Sequence, residues 1–456
     1  MTSYPRRFKT LELTIKCLLL QTITADAVNR RSRQPATELR RMTRSNLRVC
    51  YLVTNFPTLS QTFVRHEVEH HVRAGHSMRV ISMFKQDAFA HLAPEIRSIT
   101  MNVFDNRSLA PRLADALIVS GAFLMRPHWW PIVLGRTFAN RRDRYRFIGL
   151  ALAFSRCREG FDIIHCHFGV QGVYAAALRK LGLTKAKVVT TFHGYDLSRA
   201  LRRHGRAYYR ELFATGDLFL PISEYWKARM IESGCSPDRI IVHHMGVDCA
   251  ALAFKERSPR PGEPARLISI GRLVDKKGHE FSFRALAALR RRRPDLRLAF
   301  DLVGDGPEMP RLKALAAQLD IGDFVTFWGG LSHDRTLALL DRAMIFVLSS
   351  ITAADGDMEG IPVSLMEAMA MGLPVISTRY SGIPELVQDQ VSGFLFEERD
   401  VAGVSQAMEM LISDPERRRT MGRAGRIRIE QEFDHAKLMA RLSEYYRQVT
   451  ARSCSA

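Results

Sequence analysis

The chain has 456 residues, 46% of them hydrophobic and 25% charged, a globular balance spread over more chain than one ordinary core holds. Its formal charge of +20 comes from Arg and Lys distributed along the whole length, which favours anionic partners without choosing among nucleic acid, sugar phosphates and an acidic membrane. Seven scattered cysteines without a CxxC pair argue against a disulfide framework and a zinc ribbon, and no run approaches the roughly 20 uncharged apolar residues of a membrane span.

Residues 1–45 are Arg-rich and aperiodic, and read either as a disordered arm or as an over-extended start with Met42 as the first residue. No apolar h-region with a cleavage site stands there, so a cytoplasmic protein, peripheral on the inner face of the membrane, is expected. From Leu47 apolar runs alternate with amphipathic stretches, which predicts doubly wound α/β architecture. Strands are expected at Leu47–Thr54, Met78–Met83, Asp162–Cys166, Lys187–Phe192, Asp217–Ile222 and Ile240–His244, with helices at Gln61–Arg73, Val170–Leu181 and Glu224–Glu232. The stretch from Asp87 to Gly160 reads as a basic, aromatic and mostly helical insertion. Residues 249–264 read as a linker between a first domain, 46–252, and a second, 265–432. In the second, strands are expected at Leu267–Ile270, Ala299–Val303, Phe324–Trp328, Met344–Leu348 and Pro374–Ser377, followed by helix from Asp400 to the end. Two Rossmann-like halves place a cleft between their strand C-terminal ends, where open α/β sheets bind ligands.

The strongest local signal is Glu359-Gly360-Ile361-Pro362-Val363-Ser364-Leu365-Met366-Glu367, closed by Gly372 and Pro374. Pro362 fits the first helical position and Gly372 the left-handed position after the last turn. The amides of Val363, Ser364 and Leu365 are then offered to an anion, with one carboxylate before the helix and one inside it. Gly271-Arg272-Leu273-Val274-Asp275-Lys276-Lys277-Gly278 follows a strand directly, so Arg272 can fork onto phosphate oxygens and Lys277 can add a point charge. In so basic a chain, position carries this argument and charge alone does not. His193, in Phe192-His193-Gly194-Tyr195-Asp196, ends a strand and faces the cleft, though a lone strand-end His is more often structural. His165 and His167 share one strand face but lack a carboxylate or Cys partner at metal-ligand spacing, so no metal is expected. The loop Gly304-Asp305-Gly306-Pro307-Glu308 is a weak signal, equally a tight turn. Walker A and dinucleotide fingerprints are absent, which counts against a P-loop ATPase and a dehydrogenase. Arg126, Trp129, Trp130, Arg136, Arg141, Arg142, Arg144, Tyr145 and Arg146 suit either an anionic bilayer or a solvated helix face with the Trp pair packed inward.

These residues resemble family 4 of the retaining nucleotide-sugar glycosyltransferases, which have the GT-B fold. The likeness runs from residue 47 to the end and is most specific over 265–400: Gly271-Arg272 with Lys277-Gly278, Gly304 to Pro307, the two glutamates, and Gly382-Ile383-Pro384-Glu385. Phe56-Pro57, His165-Cys166-His167-Phe168-Gly169 and Phe192 to Asp196 look like the bacterial exopolysaccharide branch, including colanic-acid-type enzymes. The resemblance implies catalytic roles for His193, Glu359, Arg272 and Lys277. It implies a substrate-binding set of Gly271, Arg272, Lys277, Glu359, Gly360, Ile361, Pro362, Val363, Ser364, Glu367 and Asp196. Arg272 and Lys277 would hold the donor diphosphate, Glu367 the ribose and Glu359 the donor sugar, with His193 touching the donor sugar or assisting the acceptor. It also implies retention without a cofactor or metal, a glycan or lipid-linked oligosaccharide acceptor, and a final segment, 433–456, returning to the first domain; no nucleic acid is expected, since no nucleic-acid motif stands in the sequence. Many relatives carry paired glycines in the first βα loop, where Asn55 to Ser60 stand here. The alternatives are a sugar-nucleotide 2-epimerase on the same plan, or a polyanion- or membrane-binding module without catalysis.

Overall fold

The computed structural model describes residues 46–451 except 59–61, 106–108, 136, 139, 158–159 and 257–261. The basic segment 1–45, Arg136 and the last residues of the expected returning segment, 452–456, lie outside the described residues.

The first half holds β1 (Arg48–Phe56), β2 (Ser77–Lys85), β3 (Thr100–Phe104), β4 (Ile163–His167), β5 (Lys187–Phe192) and β6 (Leu218–Pro221), in the order β3-β2-β1-β4-β5-β6. The second holds β7 (Ala265–Ile270), β8 (Leu298–Val303), β9 (Val325–Gly329), β10 (Ile345–Val347), β11 (Val375–Thr378) and β12 (Gly393–Phe396), in the order β12-β11-β10-β7-β8-β9. All the ladders are parallel. The expected α/β plan of two Rossmann-like halves is therefore what the structure shows. Central strands need both faces covered, and Val49, Cys50, Tyr51 and Leu52 of β1 are fully buried. The strand order reverses between β1 and β4 in one sheet and between β7 and β10 in the other, which sets a crevice beyond each pair of strand ends.

Three expectations need correction. The edge strand β3 falls inside the insertion read as helical; only Phe104 of it is buried, so its apolar signal is thin. β12, four residues opening on Gly393, was not anticipated either. Ile240–His244 does run beside β6, where the amides of Ile241 and His243 donate to the carbonyls of Phe219 and Pro221, both at 3.0 Å. Yet it makes only one bridge, Phe219 with Ile240. Pro221 has no N–H to return, so the ladder cannot extend.

The segment read as a linker is anchored at its start. Arg426 donates to the carbonyls of Leu252 at 2.6 Å and Cys249 at 2.9 Å, and Cys249 and Leu252 are buried. Beyond Asp400 three helices follow, Val401–Ser413, Pro415–Glu432 and His435–Ala451. The last packs on the first sheet, where the hydroxyls of Tyr446 and Tyr51 lie 3.2 Å apart. Among the described residues no helix is long and apolar enough to cross a membrane.

Candidate active site

β7 runs straight into Gly271 and Arg272, and two glycines shape the turn that follows. Gly278 adopts φ +61° and caps the helix His279–Arg292; a Cβ there would sit 1.8 Å from the carbonyl oxygen of Ser349, just beyond β10. Gly304, just after β8, lies so close to Gly271 that a Cβ would come within 1.9 Å of that carbonyl oxygen. The loops are joined by Leu273 N–H to the Asp305 carbonyl at 2.9 Å and Glu308 N–H to the Leu273 carbonyl at 3.1 Å. The Gly304–Glu308 loop is thus a brace for the Arg272 loop.

This turn puts Lys276 and Lys277 under cover and leaves Arg272 exposed. Lys277 Nζ lies 3.2 Å from Glu359 Oε1, and Lys276 Nζ lies 3.1 Å from Asp357 and donates to the Met358 carbonyl at 3.2 Å. Burial alone would raise the Glu359 carboxyl; Lys277, then Lys276 and Arg272, outweigh it and hold the group below its usual value. The Lys277 contact is one of charge more than direction: Glu359 Oε1 makes no hydrogen bond among the described residues. That oxygen is free to accept one from a hydroxyl.

The helix that follows is Val363–Ala370, and Pro362 is its N-cap with ψ 123°, one position earlier than expected. The extended ψ keeps Pro362 outside the helix, although its fixed φ suits the entry. Leu365 N–H bonds to the Pro362 carbonyl at 3.1 Å, so it is not available to an anion. Val363 and Ser364 keep unpartnered N–H groups among the described residues. The Ser364 hydroxyl donates to the Ile270 carbonyl at 3.0 Å and ties the helix start to the end of β7. Gly360 and Ile361 line the approach, with Ile361 buried. Gly372, at φ 85°, ends the helix as expected. Glu367, on the turn above Ser364, is paired with His333, its Oε1 2.9 Å from Nε2.

His193 follows β5 and is nearly buried. A Cβ on its neighbour Gly194 would lie 2.6 Å from the Glu359 carbonyl oxygen, so the two halves meet at this point. Asp196, expected in the substrate-binding set, is fully buried and accepts from His193 N–H at 2.8 Å and Gly169 N–H at 3.0 Å. Both oxygens are engaged by backbone, so it acts on the cleft by fixing His193. Burial pushes its carboxyl up to about 7, against these two bonds.

Sequence reasoning gave no role to several residues here. Lys276 was passed over for its neighbour Lys277. Glu385 accepts from the amides of Glu224 at 2.9 Å and Tyr225 at 3.1 Å and meets His244 at 3.1 Å, linking the halves. Glu67 supplies the carboxylate that His165 and His167 were said to lack; carboxylate and ring atoms of the three lie within 4.8 Å of one another. The spacing of Glu67 and His71 on one face of an otherwise apolar helix stripe was the available signal.

Residues 252–428 match the family model for glycosyl transferases group 1, and residues 60–251 that for glycosyltransferase family 4. With two facing parallel sheets, this defines a glycosyltransferase of the GT-B class. The putative colanic acid biosynthesis glycosyltransferase WcaL of Salmonella typhimurium is 34% identical over 409 residues, 87% of this chain and 98% of that protein. The amylovoran biosynthesis glycosyltransferase AmsK of Erwinia amylovora is 34% identical over 412 residues, again 87% and 98%. The chain belongs to family 4 of the glycosyltransferases, in the branch that holds these enzymes. Among solved structures, Anabaena HepE in complex with UDP and glucose superposes with a TM-score of 0.66 at 16% identity, over 88% of this chain and all of that one. Sucrose-phosphate synthase from Thermosynechococcus elongatus gives 0.67 at 20%, over 89% and 100%; both likenesses speak to the fold.

Proposed function

We propose that this protein transfers a hexose, with retention, from a nucleoside diphosphate sugar to a glycan acceptor, a growing lipid-linked oligosaccharide of exopolysaccharide synthesis. The observation that carries the reading is the Lys277–Glu359 pair at 3.2 Å, beside a helix start whose Val363 and Ser364 amides are unpartnered. A diphosphate at that helix start meets two N–H groups, the dipole, Lys277 and the exposed Arg272. Those cations neutralise the leaving group without a metal. Ribose hydroxyls displace His333 from Glu367, and the unsatisfied oxygen of Glu359 takes a hydroxyl of the sugar. The acceptor oxygen attacks the anomeric carbon on the face from which the diphosphate departs, and the leaving phosphate takes its proton. The names of WcaL and AmsK support the polysaccharide assignment, and the UDP–glucose complexes of HepE support a nucleotide donor in this fold.

A membrane-bound acceptor is supported by a second observation. Six of the thirteen exposed large apolar residues among the described ones, Leu117, Ile118, Leu124, Met125, Trp130 and Leu134, fall within one stretch of the insertion. Trp130 Nε1 donates to the Phe123 carbonyl at 3.0 Å, which holds the short helix Trp130–Leu134 against the helix Leu109–Leu124. Arg141 and Arg142 are exposed at the start of the next helix. An apolar crown in a stretch that also exposes arginines suits an anionic bilayer, with Trp130 at the headgroup level. Trp129 is buried, so the Trp pair is divided between the two expected roles.

The test is to supply UDP-, GDP- and ADP-sugars with isolated lipid-linked acceptor and determine the anomeric configuration of the product. The reading expects the donor's configuration to be kept, and a fall in kcat of about 100-fold or more for Lys277→Ala, the size of losing one leaving-group contact. Inversion, or full activity in that variant, would sink it.

A further inference from the structure

The end of β4 brings two imidazoles to one face of the first sheet, since His165 and His167 lie two positions apart on a strand. The helix Thr62–Arg73 lays Glu67 against them, and all three side chains are buried. One ligand atom from each lies within 4.8 Å of the other two. None of the three belongs to the diphosphate site, whose groups Arg272, Lys277, Val363 and Ser364 come from the second half.

The contacts inside this cluster are those of atoms that share a third partner. His167 Nε2 is 3.2 Å from Glu67 Oε2, yet it makes no hydrogen bond among the described residues. The two atoms are close without being aimed at each other. Two ligands held about 2.0–2.1 Å from a tetrahedral zinc ion stand about 3.3 Å apart and point at the ion instead. Each ring also has an outer neighbour at its second nitrogen, as ligating imidazoles do. His167 Nδ1 lies 3.4 Å from His193 Nε2, and His165 Nε2 lies 2.7 Å from the Thr191 hydroxyl. His165 Nδ1 meets the Tyr446 hydroxyl at 2.5 Å. That hydroxyl also lies 3.2 Å from the hydroxyl of Tyr51, so it keeps a partner when Nδ1 turns to a cation. Tyr51 donates to Glu67 Oε2 at 3.0 Å, which leaves the carboxylate further lone pairs for a metal. One helical turn beyond Glu67, on the same face, His71 is fully buried with neither ring nitrogen partnered among the described residues. Native interiors avoid such orphaned polar atoms.

We propose that Glu67, His165 and His167 hold one zinc ion as three ligands of a tetrahedral site, with the fourth position left to water or to His71. Two imidazoles and a single carboxylate suit zinc, whereas magnesium and calcium take sets of oxygen ligands. The ion fastens the helix Thr62–Arg73 to β4, and His167 links it to His193 on the cleft. This goes beyond the donor site and does not depend on it. The rival account is a bare ion pair, with His167 protonated beside Glu67 and no metal.

The test is metal analysis of the full-length protein, purified without a histidine tag, dialysed against zinc and then freed of loose metal. The wild type should keep about one zinc per chain, and X-ray absorption at the zinc edge should show nitrogen and oxygen neighbours at about 2.0–2.1 Å and no sulfur. Stripping the ion with a chelator should lower the melting temperature, and zinc should restore it. Glu67→Gln and His167→Gln should each weaken zinc binding at least tenfold. Should both variants fail to fold, the zinc content and absorption spectrum of the wild type decide alone. A wild type that keeps no zinc overturns the proposal in favour of the bare ion pair. Zinc bound through sulfur, or held equally by the wild type and a folded variant, overturns it too, because the metal then sits elsewhere.

Discussion

His71, His165, His193, His243 and His279 are buried, and burial pushes each below its ordinary value, to about 3 for His71, His193 and His279 and to about 4 for His243. Unfolding releases these rings to a value near 6.5, so below that pH the unfolded chain takes up protons that the folded chain refuses. Each ring then costs about 1.4 kcal/mol of stability per pH unit until its folded value is reached. Asp196, raised to about 7, works in the opposite sense with one such share between about pH 7 and the ordinary carboxylate range. Five against one leaves a net loss. Against a typical total of about 5–15 kcal/mol, acid unfolding should have its midpoint above pH 4. A melting temperature that stays level from pH 6.5 to 4 would contradict the burial of these rings. At this scale the cations and glutamates were legible because phosphate chemistry needs them at strand ends and helix starts. Glu67 was not, because its partners come from a strand about a hundred residues away.

The helix Val363–Ala370 shows how far local pattern reaches: its stop at Gly372 was legible from φ requirements, and its start was misplaced by one residue at Pro362. β1, β5 and β8 were legible because buried parallel strands read as unbroken apolar runs. β3 was not, since an edge strand with one buried residue carries little of that signal, and Ile240–His244 was over-read because Pro221 stops a ladder from the other side. In the insertion, the helices Leu109–Leu124 and Trp130–Leu134 expose their apolar residues together. Replacing Leu117, Leu124 and Leu134 with Ser removes exposed side chains worth about 1.5–3 kcal/mol each when fully buried. Co-sedimentation with phosphatidylglycerol vesicles should weaken at least tenfold, with the melting temperature unchanged. Equal binding by both proteins would remove the insertion from the membrane account.

As a whole the molecule is two sheets face to face, with polar contacts between them among the described residues. Glu385 reaches the helix Glu224–Glu232, Arg199 pairs with Asp355 at 3.1 Å, and the Ser198 hydroxyl meets Met358 N–H at 3.4 Å. Polar contacts of this kind suit halves that part and close around a substrate. The architecture was legible because alternation of strand and helix repeats twice with a polar break between. The closeness of Gly194 to Glu359 was not, since it depends on how the halves meet. The central claim is that the Arg272–Lys277 turn and the Glu359–Glu367 helix form one nucleotide-sugar site. Thermal unfolding with UDP, GDP and ADP tests it most directly, for the wild type, Arg272→Ala and Glu367→Ala. A nucleotide at 100 times its Kd adds about 2.7 kcal/mol to the state it binds. The account predicts that one nucleotide raises the melting temperature of the wild type and that either substitution removes most of the rise at the same concentration. Equal stabilisation of all three proteins, or a shift with polyanions alone, would contradict it.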